Sequence, residues 1–147
     1  MTAWSGKWRA AVDKCMNYLA LARKGGMAEL GEEPVGAAAR AGKAYLIVVA
    51  GDAGDHTWRR AKSYAAGTDQ QCLRLKQSKD QLGQAVGRTS LAIAAFTDAA
   101  LALAFVKSLD APEASMVEAL ETKASRIQSR RREANAHRRN VRKGKKK

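Results

Sequence analysis

The sequence predicts an α/β fold: a three-layer α/β/α sandwich with a small mixed sheet, followed by a C-terminal helix and a basic tail. Apolar residues at helical spacing alternate several times with short runs of β-favouring residues. Glycines separate most of these segments, and 46% of the 147 residues are hydrophobic, which is enough for a buried core. Repeated alternation of helix and strand favours a sheet covered on both faces by crossover helices.

The first half of the chain is predicted to form a helix, a short strand, a second helix and a central strand. Residues 1–11 are an N-terminal extension, and helical apolar spacing runs from Val12 to Arg23. Residues 27–30 are predicted as the short strand. A helix begins after Gly31, and the uncharged run over 45–50 contains several β-favouring side chains, so it is predicted to be the buried central strand.

The second half of the chain is predicted to continue the alternation. Asp55 caps a helix after the turn over 51–55, whose glycines complete no phosphate-binding motif. Apolar and charged residues alternate over 72–76, which indicates a half-buried strand, and Ser78 with Gln81 fits a capping box at the start of a helix. The remaining predicted elements are a strand over 91–96, a helix from 97 or 98 to 109, a helix over 111–129 capped by Asp110, and a mobile basic tail over 130–147.

Basic residues are concentrated at the C-terminal end of the chain. The net charge is +13, which indicates a polyanionic partner such as nucleic acid or an anionic membrane surface. Residues 123–147 contain twelve Lys and Arg and one acid, whereas residues 1–122 contain fifteen bases and thirteen acids. A nearly neutral body therefore carries a basic tail. The tail residues expected to contact phosphates are Arg126, Arg130, Arg131, Arg132, Arg138, Arg139, Arg142, Lys143, Lys145, Lys146 and Lys147.

Cysteine usage and hydropathy favour a cytoplasmic location. Cys15 and Cys72 lack metal-ligand spacing, so we interpret them as reduced packing residues. The N-terminus has no signal-peptide apolar core. The longest apolar stretch, over 91–106, is interrupted by Asp98 and is too short to span a bilayer. We therefore expect a soluble cytoplasmic protein that contacts no membrane, and no residue pattern predicts a metal or a cofactor.

Four blocks of the sequence, taken in order, resemble a known family. They are residues 19–26, residues 31–33 with 41–50, residues 80–88 and residues 91–98. Together they resemble the ribosomal protein L-seven-Ae / L-thirty-e superfamily of kink-turn RNA-binding proteins, and most closely its small bacterial YlxQ-like branch. The resemblance covers about residues 12–109, so residues 12–110 are the predicted RNA-binding domain.

The resemblance implies a three-layer sandwich without catalytic activity that binds RNA through two surfaces. The first surface combines the start of the second helix with the preceding loop: Lys24, Gly31, Glu32, Glu33, Ala37 and Arg40, with Lys43 nearby. The second, which closes over a flipped-out nucleotide, consists of Gly87, Arg88, Thr89 and Ser90. The residues themselves agree with this role, because helix N-terminal amides suit phosphate oxygens and glycine allows a close backbone approach.

The first surface departs from the family pattern at three positions of the second helix. Glu33, Pro34 and Ala37 stand where the strongest kink-turn binders of the family have Asn, Glu and Lys. A second interpretation of Glu32 and Glu33 involves no RNA, because acids in the first turn of a helix are stabilised by its macrodipole.

Three functional hypotheses follow from these observations. The leading one is a non-enzymatic RNA-binding protein, ribosomal or ribosome-associated, which has ribosomal RNA and ribosomal proteins as partners and is a monomer outside the ribonucleoprotein. The alternative is a ribosome-assembly or protein-interaction factor with charge-driven, non-specific nucleic-acid binding, since a basic tract does not distinguish RNA from DNA. The third is an RNA-modifying enzyme. The sequence gives it no support, because it has no cofactor-length glycine loop, no paired His and acid and no reactive-cysteine context.

Overall fold

Helices and strands alternate along the chain in a computed structural model that describes residues 3–109 and 112–145, with the side chains of 14–109 and 112–139. The strands of these ranges are β1 (Ala28–Leu30), β2 (Leu46–Val49), β3 (Gln71–Arg74) and β4 (Ile93–Phe96). The helices are α1 (Ala3–Lys24), α2 (Glu32–Arg40), α3 (Asp55–Ala65), α4 (Lys79–Val86), α5 (Ala99–Lys107) and α6 (Ala114–Lys145).

The strands form one mixed sheet in the order β1-β4-β2-β3. β4 runs antiparallel to β1 and β2, and β2 runs parallel to β3. Every residue of β2 and β4 is buried, which accounts for their uncharged sequences, whereas β3 at the edge is partly exposed. The predicted small mixed sheet and its central strand are confirmed.

The helices cover both faces of this sheet and complete the predicted three-layer sandwich. α2 and α3 contact each other and the central strands on one side, while α1, α4 and α5 pack together on the other. α6 packs on α5 and buries Met116 and Leu120 against the body. Phe96 of β4 and Phe105 of α5 lie in this core with their ring centroids 4.9 Å apart.

The sheet has two ends, which we name by the direction of β2. At the carboxyl pole β1, β2 and β3 end and β4 begins, so the connections over 31, 50–54, 75–78 and 87–92 meet there. At the amino pole β1, β2 and β3 begin and β4 ends, so the connections over 25–27, 41–45, 66–70 and 97–98 meet there. α2 and α3 each run from the carboxyl pole back to the amino pole.

Two helices are longer than predicted. α1 begins at Ala3 rather than Val12, since the i, i+4 spacing of Trp4, Trp8 and Val12 continues the helical pattern backwards. α6 is a single helix that continues to Lys145, so the predicted end of the helix at 129 was wrong, whereas the mobility of the segment over 130–147 in the unbound protein stays a prediction. The tail consists largely of strong helix formers and has no proline, and its one glycine is near the end of the helix.

The structure confirms two of the predicted helix caps and moves a third. The capping box of Ser78 and Gln81 and the Asp98 cap of α5 are confirmed. Asp55 is the first residue of α3 rather than its cap, because Gly54 takes the extended cap conformation. α6 begins at Ala114, later than predicted, and its predicted cap, Asp110, lies outside the described residues.

Candidate nucleic-acid interface

Gly31 joins β1 to α2 at the carboxyl pole. Its φ of +95° lies in the left-handed region that favours glycine, and its N–H donates a hydrogen bond of 3.0 Å to the carbonyl O of Ile93. This bond fixes the start of α2 beside the start of β4. Because glycine has no side chain to cover the first turn, the α2 N-terminus is open to a close approach by a ligand's backbone.

The loop over 87–90 lies at the same pole and is exposed along its whole length. Gly87 ends α4 with a left-handed φ of +75°, and the Arg88 N–H donates to the carbonyl O of Gly83 at 2.8 Å. At the other side of the loop, the Leu91 N–H donates to the carbonyl O of Lys79 at 2.9 Å. The backbone of this short loop is therefore anchored at both ends by α4.

The structure brings part of the first predicted RNA-binding surface, the start of α2, next to the second. The Nη1 atom of Arg88 lies 3.9 Å from the point that a Cβ atom on Gly31 would occupy. We call residues 31–34 together with 87–90 the loop surface. The two segments are more than fifty residues apart in sequence, and only the pairing of Gly31 with the start of β4 makes them neighbours.

Glu32 of the loop surface is engaged with α3. Its carboxylate accepts hydrogen bonds from the Arg60 guanidinium at 3.1 Å and the Thr57 hydroxyl at 3.3 Å. The separation of 28 residues between Arg60 and Glu32 gives no local sequence signal for this ion pair. The pair reduces the repulsion that Glu32 would exert on a phosphate. Glu33, Pro34 and Ala37 are exposed.

The remaining members of the first predicted surface lie at the opposite end of the sheet. Lys24 ends α1 before Met27, whose carbonyl accepts from the Thr97 N–H at 2.9 Å, and Lys43 precedes Tyr45, whose N–H donates to Phe96 at 3.0 Å. These bonds place Lys24 and Lys43 at the amino pole, and Arg40 joins them in the last turn of α2. The seven residues predicted as one surface are thus divided between the two poles, and their contact with RNA stays a prediction.

A buried glutamine fixes the turn that carries Lys43. The side chain of Gln70 accepts from the Ala44 N–H at 3.1 Å and donates to the Ala39 carbonyl at 3.2 Å. It therefore ties the end of α2 to the start of β2. No sequence pattern singled out Gln70, because its role depends on partners about thirty residues away.

α6 reaches the amino pole at Lys123. Its ammonium forms an ion pair with Asp69 and lies 5.7 Å from the ring centroid of Tyr45. The hydrogen bond from Lys123 lowers the pKa of the Asp69 carboxyl, and the charge of Arg126 contributes in the same direction. This contact marks the place where α6 leaves the body.

Beyond the body, α6 presents charge on several sides. Every residue from Gln128 to Arg139 is exposed, a stretch of about 18 Å at the helical rise. The predicted phosphate-contacting residues with described side chains are Arg126, Arg130, Arg131, Arg132, Arg138 and Arg139. Lys146 and Lys147 lie outside the described residues, as do the side chains of Arg142, Lys143 and Lys145.

The described part of the chain offers little for other chemistry. It contains no group of three or more His, Cys, Asp or Glu side chains that could hold a metal ion. Burial raises the pKa of the Cys72 thiol, which disfavours the reactive thiolate. None of the helices over the described ranges is both long and apolar enough to cross a membrane.

Comparison with known proteins identifies the fold. A protein of unknown function from Bacillus halodurans superposes with a TM-score of 0.62 at 23% identity, covering 67% of this chain and 98% of its own. The 15.5 kDa RNA-binding protein of Giardia lamblia superposes with a TM-score of 0.52 at 19% identity, covering 76% of this chain and 90% of its own. No protein-family model and no curated protein matches the chain significantly. At these identities the likeness shows that all three chains share one α/β/α fold.

Proposed function

We propose that this chain is a non-enzymatic RNA-binding protein of the L-seven-Ae / L-thirty-e superfamily, in its YlxQ-like branch, and that it binds structured RNA through the loop surface. The observation that carries the proposal is the position of the Arg88 guanidinium beside Gly31 at the α2 N-terminus. We further propose a cytoplasmic, ribosomal or ribosome-associated role with ribosomal RNA and ribosomal proteins as partners. Outside the ribonucleoprotein the chain is a monomer.

The loop surface suits a sharply bent RNA backbone for two reasons. The amide groups and the macrodipole at the start of α2 attract phosphate oxygens, and Gly31 lets the backbone of RNA approach closely. Arg88 adds a guanidinium, which can form two parallel hydrogen bonds to one phosphate. The anchored loop fixes the backbone that carries Arg88, so little backbone entropy is lost on binding.

Two further observations support RNA as the partner. The Giardia lamblia protein that shares the fold is named an RNA-binding protein. The described arginines of α6 form a dense cationic segment next to the body, and such segments gain affinity by releasing the counterions condensed on nucleic acid.

Substitution of Arg88 tests the loop surface. We expect Arg88→Ala to weaken binding to an RNA with a kinked internal loop by about tenfold, since the guanidinium that pairs with phosphate is removed, while binding to a random single strand changes little. Arg59→Ala removes an exposed charge of the same kind from α3 and serves as the control. Equal losses on both RNAs would remove the case for the loop surface as a recognition element.

Deletion of residues 128–147 tests the tail without removing the buried residues of α6. We expect weaker binding to all RNAs alike and a flatter dependence of affinity on salt, by roughly 0.7 to 0.9 for each phosphate that the tail neutralises. An unchanged salt slope would exclude the tail from the interface. If the deletion abolishes binding to every RNA and Arg88→Ala has no effect, the charge-driven assembly or interaction factor becomes the better description.

A further inference from the structure

We infer that the amino pole and the adjoining part of α6 form a second RNA-binding surface, which takes the phosphate backbone of a second RNA helix. One copy of the protein would then bridge two RNA segments, one at each end of its sheet. The inference rests on the proposed function for the loop surface. The second surface consists of Arg23, Lys24, Arg40, Lys43, Lys123 and Arg126 and continues along α6, and we call it the basic pole.

The two ends of the sheet differ in charge. At the carboxyl pole acids and bases balance: Glu32, Glu33, Asp52, Asp55 and Asp80 face Arg60, Arg74, Lys76, Lys79 and Arg88. The connections that meet at the amino pole contain two acids, Asp69 and Asp98, and α6 adds Glu121, which pairs with Lys107 at 3.2 Å, and Glu133. The stronger positive potential of the body is therefore at the end away from the loop surface.

Both acids of the amino pole already have partners. Asp69 is paired with Lys123, and the Asp98 carboxylate accepts the Leu101 N–H at 3.0 Å as the cap of α5. Arg23, Lys24, Arg40 and Lys43 are exposed around them. Four cations thus face solvent at this pole, and a polyanion could neutralise them.

The course of α6 extends the basic pole away from the body. The helix leaves beside Asp69 and Tyr45, and the exposed stretch from Gln128 to Arg139 continues for about 18 Å. Around the helix axis, Arg131 and Arg138 share one side and Arg132 and Arg139 another, because residues seven apart lie nearly in line. Cations on two sides of one helix can contact more than one phosphate strand.

The chemistry of this surface favours nucleic acid over a protein or a lipid partner. Leu21, beside Arg23 on α1, is the one exposed large hydrophobic side chain among the described residues, and a single side chain is too small to form an apolar patch. A surface of separated cations without an apolar centre is typical of phosphate-backbone contact. Such contact carries no sequence preference, so the occupant is a plain RNA duplex rather than a second kinked RNA.

Two-colour binding with the full chain tests this inference. One labelled RNA contains a kinked internal loop and the other is a short plain duplex. The composition of each complex is determined from its mass and from the coincidence of the two labels. We expect complexes containing one protein and one copy of each RNA. The test variant is Lys24→Gln with Arg40→Gln and Lys43→Gln. The matched control, Lys76→Gln with Lys79→Gln and Arg88→Gln, removes the same charge from the carboxyl pole.

The two variants have opposite expected results. The test variant should lose the mixed complex, weaken plain-duplex binding by about tenfold and lower its salt slope by roughly 2 to 3, while kinked-RNA binding changes less than threefold. The control should weaken kinked-RNA binding and keep plain-duplex binding. If thermal melting shows that the test variant does not fold, Arg23→Gln with Lys43→Gln repeats the test.

The outcomes separate the two proposals. Competition between the two RNAs for one site, or equal losses in both variants, would overturn the second surface and leave the loop surface standing. Another outcome is that duplex binding persists in both triple variants and is lost only when residues 128–147 are deleted. That result would also overturn the second surface, because the residues of the body would then contribute nothing to duplex binding. Failure of the unaltered chain to bind either RNA would refute the proposed function and this inference together.

Discussion

A Cβ atom on Gly83 would lie only 2.7 Å from the Cα atom of Ser90. The same atom would lie 2.8 Å from the carbonyl O of Arg88, which is also backbone. α4 and the loop over 87–90 therefore approach more closely than any residue with a side chain at position 83 allows. This contact, together with the Arg88–Gly83 hydrogen bond, sets the position of the loop surface.

Gly83→Ala should displace the loop. Because backbone atoms cannot rotate away from the new methyl group, we expect a loss of about 1 to 3 kcal/mol in the free energy of unfolding and weaker binding of kinked RNA. Chemical denaturation and RNA titration measure the two effects. Gln84→Ala is the control: it changes an exposed residue of the same helix, so the change should stay within about 0.5 kcal/mol. Equal stability of the two variants would contradict the close contact.

Glu32→Gln should tighten RNA binding at little cost in stability. Both side chains of the ion pair between Glu32 and Arg60 are exposed to solvent. Loss of the pair should therefore change the free energy of unfolding by about 0.2 to 1 kcal/mol. Removing one negative charge near phosphate and releasing Arg60 should raise RNA affinity about two- to fivefold. Glu118→Gln makes the same change in net charge on α6. An equal gain in that control would mean that net charge alone is responsible.

The ion pair of Asp69 and Lys123 should stabilise the fold in a pH-dependent way. The pKa of Asp69 is lowered in the folded state from its ordinary value of 3.8, chiefly by the hydrogen bond from Lys123. A lowered carboxyl pKa gives stability that is fully present above pH 3.8 and is lost as the pH falls through the folded-state value. Since 69% of the Asp69 side chain is exposed, the effect should not exceed about 1 kcal/mol.

A double-mutant cycle measures this effect. Asp69→Asn, Lys123→Met and the double variant are unfolded at neutral pH and again near pH 2, and the coupling should be larger in the first condition. High salt should reduce it. A coupling of equal size at both values of pH would show that the carboxylate charge is not its source.

Ser129→Pro should break α6 beyond the body. Proline removes an intrahelical hydrogen bond and clashes with the preceding turn, and the described residues after Ile127 are exposed. We therefore expect lower helical circular dichroism, an unchanged melting temperature of the body within about 2 °C, and weaker binding to RNA duplexes. Ser129→Ala should keep all three properties. Unchanged dichroism in the proline variant would contradict a continuous helix.

The local elements of the fold could be predicted because their signals are local. The capping box of Ser78 and Gln81 spans four residues, and the uncharged sequences of β2 and β4 reflect burial on both faces of the sheet. The end of α6 could not be predicted because the charge pattern of its last residues indicates disorder, whereas the helix propensity of Arg, Ala and Gln favours a helix. The two local signals of this segment therefore conflict, and the sequence alone does not decide between them.

The sequence by itself determined the order of helices and strands, the glycine positions at helix ends and the excess of cations in the C-terminal segment. The tertiary structure decided which of these features are neighbours. It brought Arg88 to Gly31, paired Glu32 with Arg60, and moved Lys24, Arg40 and Lys43 to the other end of the sheet. The physical reason is the strand order: β4 lies between β1 and β2 and runs against both, so segments distant in the chain meet at each pole. Spacing along a chain carries no information about such pairings.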